Sequence, residues 1–337
     1  MALENIEHEF QVMNETITLL QAELDCSALD ALIESFDNLL ADGQIQVEDG
    51  LPTEKTIIKL KELYSKIDLK KLSSEEKRAL FQLSLLQAYK KEKVQANHQM
   101  TPDTIGFIIA YLIEKLVKAQ KNKSLLDITV GTGNLLLAVT STLAKSGFED
   151  LKIYGIDNDD TMLALASIAT QLVGENVALY HQDALAPLEI PKVDIVIGDL
   201  PIGYYPLDER VKSFKSAFDQ GHSYVHHLLI EQALLNLNDG GWGIFMVPSQ
   251  LFDVPEAKKL LHVIQEEGYL QGFLNLPEKL FINKKSQKAL LLVQKKGMHA
   301  KQAKPILLGE FPLLKDRPEF LKFMGEIEAW QQVNFGK

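Results

Sequence analysis

Cysteine is almost missing from this chain: Cys26 stands alone among 337 residues. One thiol cannot build a disulfide framework or a cysteine-rich zinc site, and it points to a reducing, cytoplasmic setting. Arginine is nearly as scarce, limited to Arg78, Arg210 and Arg317. Arginine is the side chain best suited to guanine edges, so direct sequence readout of DNA is poorly provided for. No apolar run approaches the length of a membrane span, so no membrane association is expected. The opening MALENIEHEF is acidic and has neither the basic nor the apolar region of a secretory leader. Excess positive charge is also absent. A net charge of −11 repels phosphate at long range and argues against non-specific nucleic-acid binding. There is no internal repeat and no low-complexity segment.

What is present is the composition of an ordinary soluble globular protein, 46% hydrophobic and 24% charged. The length allows two domains, or one large domain with additions. Charge is unevenly spread: residues 1–96 lean acidic, while residues 257–304 are rich in lysine.

The first 96 residues read as helices. Apolar residues recur at steps of three and four through Phe10, Met13, Ile17, Leu20 and Leu24, and again through Leu29, Leu32, Ile33, Phe36, Leu39 and Leu40. In SSEEKRALFQLSLLQAY, Ser73 and Ser74 are cap candidates ahead of acidic residues. Gly43, Gly50 and Pro52 interrupt the series. MTPDTIGFIIAYLIEKLVKA predicts a helix with Thr101 as N-cap and Pro102 in the first helical position. Short apolar runs then alternate with helical stretches: Ser124–Thr129, Lys152–Asp157, Val177–His181, Asp194–Gly198, Gly243–Val247, Gly272–Leu276 and Ala289–Gln294. Such alternation predicts an α/β fold with a mostly parallel sheet covered on both faces. Ligands of such sheets sit beyond the carboxyl ends of the strands, near the switch point.

The residues after each run therefore matter most. DITVGTGNLLLAVTSTLA follows the first, with Asp127 closing the strand and Gly131 and Gly133 making the turn. Two glycines accept positive φ and let the backbone approach a ligand; a plain tight turn is the alternative. A dinucleotide fingerprint would need a third glycine where Leu136 stands, which disfavours NAD or FAD. YGIDNDD follows the second run, placing Asp157 where an acidic side chain receives ribose hydroxyls, or where it caps a helix. YHQDAL follows the third, and Asp183 is either an acceptor for an exocyclic amine or a solvated loop acid. VDIVIGDLPIGYYP carries the fourth run into its loop.

In that order and spacing, these segments resemble the S-adenosylmethionine-dependent methyltransferases of the Rossmann-like class. NHQMTPDTIG at 97–106 resembles the Thr-Pro segment that precedes the glycine loop in N6-adenine DNA methyltransferases. NLPEKLFINKKSQKALLLVQKK at 275–296 resembles that family's late segment. The helical first part is similar to modification subunits of type I restriction systems. The resemblance implies a class I methyltransferase domain over residues 97–305, preceded by a helical domain over 1–96 and followed by an extension over 306–337. It implies S-adenosyl-L-methionine as cofactor, held by Thr101, Asp127, Thr129, Gly131, Thr132, Gly133, Asp157, Asn158, Asp183, Ala184 and Asp199. It implies catalysis at Asp199 and the Pro201 carbonyl, with Ile202, Tyr204 and Tyr205 facing the substrate. Two acceptors pulling on the two N–H bonds of a planar amine favour its pyramidal, attacking form. DNA is the implied partner. Only about 40 residues follow the late segment that ends at 296, with no obvious target-recognition domain among them, so a protein partner through the helical domain, or a substrate other than duplex DNA, is a further expectation.

The family motif reads Asp/Asn/Ser-Pro-Pro-Tyr/Phe. Here Leu200 replaces its first proline and Ile202 its aromatic. An aromatic that stacks on a base contributes roughly 1–3 kcal/mol, so Tyr204 and Tyr205 are candidate substitutes. Methylation of RNA or of a protein amide, or cofactor binding without catalysis, stay open as alternatives. GHSYVHH holds His222, His226 and His227; without a carboxylate partner, these read as a helix surface rather than a metal site. Pro248 and Ser249 end a buried strand at the cleft, and the lysines around 284–304 read as a solvated flank.

Overall fold

The computed structural model describes residues 6–92, 94–313 and 315–336. Its contacts fall into two compact units. The first comprises Met1–Met100 together with Gly131–Asn134 and Asp159–Val177. The second comprises Thr101–Val130, Leu135–Asn158 and Ala178–Lys337.

In the first unit, helices Glu7–Leu24, Ala28–Leu40, Glu54–Tyr64 and Ser74–Lys91 pack through the predicted apolar stripes. Met13, Ile17, Leu20, Leu32, Phe36, Leu80, Phe81 and Leu85 are buried, and Phe36 meets Phe81 edge to face at 5.4 Å. Ser73 and Glu76 close a capping box at the start of the last helix. That device typically contributes about 0.5–2 kcal/mol. Helix Asp160–Val173, which follows the second strand, packs on helices Ala28–Leu40 and Ser74–Lys91. The helical unit is therefore not confined to the first 96 residues.

The second unit is organised by an eight-stranded sheet. Its strands are β1 Ser124–Asp127, β2 Lys152–Asp157, β3 Val177–His181, β4 Val193–Asp199, β5 Leu237–Pro248, β6 Gly268–Asn275, β7 Lys288–Lys295 and β8 Leu307–Glu310. They lie in the order β3-β2-β1-β4-β5-β7-β6-β8. β1 is parallel to β2 and β4, and β4 to β5; β7 is antiparallel to both β5 and β6. Seven strands overlap the predicted runs, β5 and β6 beginning several residues earlier than expected. The eighth, parallel to β6, lies outside them. After it comes helix Arg317–Phe335, whose Trp330 indole donates to the Pro305 carbonyl at 2.8 Å.

The chain winds outward from β1 in one direction and from β4 in the other, so the switch point lies between these neighbours. Asp127 and Asp199 close the two strands on either side of it. No described helix is long and apolar enough to cross a membrane.

Candidate active site

Asp199 is the last residue of β4, paired in register with Met246 of β5. The ladder continues one step further, because the Leu200 N–H donates to the Met246 carbonyl at 3.0 Å. Proline has no N–H to offer there. The Leu200 side chain is fully buried in the core cluster, a burial that contributes about 1.5–3 kcal/mol. The first departure from the family motif is thus explained by the sheet itself.

Both Asp199 carboxylate oxygens are engaged. The Thr101 hydroxyl donates to Oδ2 at 3.0 Å, and Lys288 Nζ donates to Oδ1 at 2.5 Å. Thr129 donates its hydroxyl to the Asp199 backbone carbonyl at 3.3 Å, tying the loop after β1 to the end of β4. The Asp199 and Lys288 side chains remain 19% and 22% exposed, so the pair is sheltered but reachable.

Two expectations need correction here. Thr101 does not cap the following helix: that helix runs Asp103–Leu116, Pro102 sits at its cap, and no side-chain cap bond forms. The Thr101 hydroxyl is spent on Asp199 instead. Lys288 is not part of a solvated flank. β7 runs antiparallel to β5 and begins where β5 ends, with Lys288 opposite Pro248, so its first side chain arrives at the ligand end of the sheet.

Asp127 is fully buried. One carboxylate oxygen accepts the Thr129 N–H at 3.2 Å, and the other, Oδ2, has no partner. Burial pushes its carboxyl up to about 8; the Thr129 N–H opposes this, and the neighbouring Asp157 and Asp199 add to it. A buried, unsatisfied carboxylate oxygen costs free energy until a donor or cation meets it. The site therefore fits a cationic ligand.

Asp157 ends β2, and its backbone carbonyl accepts from the Gln182 N–H at 3.0 Å. Asn158 is exposed and Ala184 half-buried. Asp183 accepts the Leu185 N–H at 3.0 Å and the Tyr205 hydroxyl at 2.6 Å, with Arg210 at 3.9 Å. Tyr205 is buried and turned onto Asp183, not toward an open substrate face. Ile202 and Tyr204 are exposed. The Tyr204 ring stacks on Tyr224 at 4.8 Å, and Tyr224 stacks on His226 at 5.2 Å.

The histidines differ from the helix surface expected of them. His226 and His227 are buried in helix Val225–Asn236, and His222 pairs with Asp208 at 3.0 Å. Burial holds the His226 imidazole down to about 4, opposed by its hydrogen bond with the Pro201 backbone. Sequence reasoning missed that contact, because it joins a loop carbonyl to a helix more than twenty residues away. Among the described residues no group of three or more metal-ligating side chains occurs.

The glycine turn belongs to the first unit. Gly131 and Gly133 take φ of 51° and 77°, as a turn passing close to a ligand requires. A Cβ on Gly133 would stand 3.3 Å from the Ala166 Cα. Thr132 is buried. Asn134, which ends the turn, is held by helix Ser74–Lys91: Arg78 donates to its side-chain oxygen at 3.1 Å and Gln82 at 2.7 Å. This clamp was also missed.

Carboxylates closing β1 and β2, an acid after β3 and a polar loop after β4, set on this strand order, define a class I S-adenosylmethionine-dependent methyltransferase. The chain belongs to the N-6 DNA Methylase family, whose model matches residues 84–313. A second model, the YtxK N-terminal helical domain, matches residues 7–89. The chain is 34% identical over 321 residues to a Bacillus subtilis (strain 168) protein named YtxK, covering 95% of this chain and 96% of that one. It is 39% identical, with a TM-score of 0.89, to a Listeria monocytogenes protein assigned to the class I S-adenosylmethionine-dependent methyltransferases, covering 98% and 99% of the two chains. A type I restriction-modification methyltransferase subunit from Streptococcus thermophilus shares the fold, with a TM-score of 0.64 at 17% identity over 94% of this chain and 74% of that one. The cofactor of this class is S-adenosyl-L-methionine, and the unsatisfied Asp127 oxygen accords with its cationic character.

Proposed function

We propose that this chain transfers a methyl group to the exocyclic amine of an adenine in nucleic acid, DNA being the expected substrate inside the cell. The observation that supports the proposal is the position of Asp199 at the end of β4, at the switch point and near the buried Asp127. In this reading the cofactor is held by Thr101, Asp127, Thr129, Gly131, Thr132, Gly133, Asp157, Asn158, Asp183 and Ala184. When bound, it supplies a methyl group on a sulfonium. Asp127 offers its unpartnered Oδ2 to the cofactor's positive charge. Asp199 accepts one amine N–H and the Pro201 carbonyl the other; each oxygen has lone pairs beyond those its protein partners use. The amine proton released on methylation passes to Asp199.

The base must leave a duplex stack to reach this loop. Tyr204, exposed and stacked on Tyr224, is the aromatic surface proposed to replace the one absent at Ile202. The helical segment over 1–96 is the proposed contact for a protein partner that reads the target.

The test is transfer of labelled methyl from S-adenosylmethionine into DNA, RNA and protein fractions from cells lacking this chain. Label in nucleic acid, absent with Asp199→Ala, is the expected result. Label confined to protein would replace adenine with a protein amide. No label in any fraction, from protein that binds the cofactor, would leave a binding protein without catalysis.

A further inference from the structure

We infer that Lys288 is a substrate-reading residue, and that together with Asp199 it forms a donor–acceptor fork for a methylated amine and the ring nitrogen beside it. The inference rests on the adenine reading above and adds how the base is selected.

The geometry is specific. Lys288 Nζ and Asp199 Oδ1 stand 2.5 Å apart, presenting a donor and an acceptor side by side. The oxygen and nitrogen of an asparagine amide stand about 2.3 Å apart by standard bond lengths. Asparagine and glutamine read adenine with just such a fork, accepting from its exocyclic amine and donating to the neighbouring ring nitrogen. Capacity remains on both atoms. An ionised carboxylate oxygen has a lone pair left after one bond, and an ammonium has three donors. Asp199 is the one partner of the Lys288 ammonium among the described residues. Its position at the first residue of β7, opposite Pro248, sets it at the end of the sheet where β4 and β5 also finish.

The fork also decides what the site refuses. A protonated alkyl amine beside Asp199 would face the like charge of Lys288. A planar amidine edge, with its amino group beside a ring nitrogen, meets one acceptor and one donor. Ile202 supplies no aromatic face at its own position, so the fork adds recognition of the base's edge to any stacking by Tyr204. A pair serving only the fold is the competing account, and it predicts no dependence on the substrate's ring nitrogen.

The experiment uses an oligonucleotide carrying the adenine context labelled in the fraction assay, and copies with 1-deazaadenine or 7-deazaadenine at the target. Methyl transfer is followed with the full-length wild type, Lys288→Met and Lys288→Arg, and cofactor affinity is measured by calorimetry for each. The wild type is expected to favour adenine at least tenfold over one of the two deaza bases. Lys288→Met should bind the cofactor within twofold of wild type, lose at least tenfold on adenine and stop distinguishing the analogues. Lys288→Arg should recover part of the discrimination. A Lys288→Met protein that discriminates as the wild type does, or a wild type that treats all three bases alike, would overturn the inference while leaving the adenine reading intact. Absence of wild-type transfer to the adenine oligonucleotide would overturn the adenine reading, and the fork with it.

Discussion

On the β1–β2–β3 side of the switch point, Asp127, Asp157 and Asp183 stand where the methyltransferase pattern puts them. On the β4–β5–β7 side only Asp199 and Pro201 keep their places; Leu200, Ile202 and Lys288 give the acceptor loop its own character. The two sides answer to different demands. Every reaction of this class uses the same donor, so the residues facing it have one task. The acceptor side must fit whichever amine is methylated. Its departures do not share one cause. Leu200 belongs to the sheet, since its N–H extends the β4–β5 ladder and its side chain fills the core. Ile202 is exposed and Lys288 partly so, and it is to these two that the proposals above assign recognition.

The sharpest way to break the cofactor side alone is Gly133→Ala. Its φ of 77° costs an alanine about 1–2 kcal/mol, and the new Cβ meets Ala166 at 3.3 Å. A loss of about 1.4 kcal/mol at the turn is tenfold in affinity, so calorimetry should find S-adenosylmethionine binding weakened roughly tenfold.

Asp127 provides a test that needs no substrate. Its folded-state pKa, near 8, lies above that of an unfolded aspartate. The stability tied to its protonated form is therefore full below about pH 4 and is lost as pH rises through about 8. Urea unfolding of the ligand-free protein should show stability falling across that window, with a slope from this group of up to about 1.4 kcal/mol per pH unit. Asp127→Asn should flatten that part of the profile; an unchanged slope would place the burial penalty elsewhere.

The smallest effect concerns the clamp on Asn134. Arg78→Ala removes a donor to its side-chain oxygen, a contact that contributes about 1 kcal/mol. The apparent KM for S-adenosylmethionine should rise several-fold while kcat at saturating cofactor holds. A fall in kcat alone would give Arg78 a different role.

Much of this was legible in the sequence. Seven strands could be read from their short apolar runs, and Asp127, Asp157, Asp183 and Asp199 were visible as acids at or just after the ends of the first four. β8 could not: it is four residues long, half-buried or exposed, and set at the sheet edge. The joining of helix Asp160–Val173 to the N-terminal helices was hidden as well, since no local pattern records which helix faces which. Lys288 and Asp199 lie 89 positions apart, and Arg78 and Asn134 lie 56 apart. Pairs like these are set by strand order and packing rather than by local periodicity. Thr101 carried a real cap signal that tertiary structure overrode, because its hydroxyl found a carboxylate across the site.

The division between the two sides is tested most directly by the affinity of S-adenosylmethionine for Asp127→Asn and Asp199→Ala beside the wild type, by calorimetry at one pH. The account predicts that Asp127→Asn weakens binding at least tenfold and that Asp199→Ala stays within about threefold, since its carboxylate serves the acceptor. Equal losses in both, or a larger loss at Asp199, would contradict it.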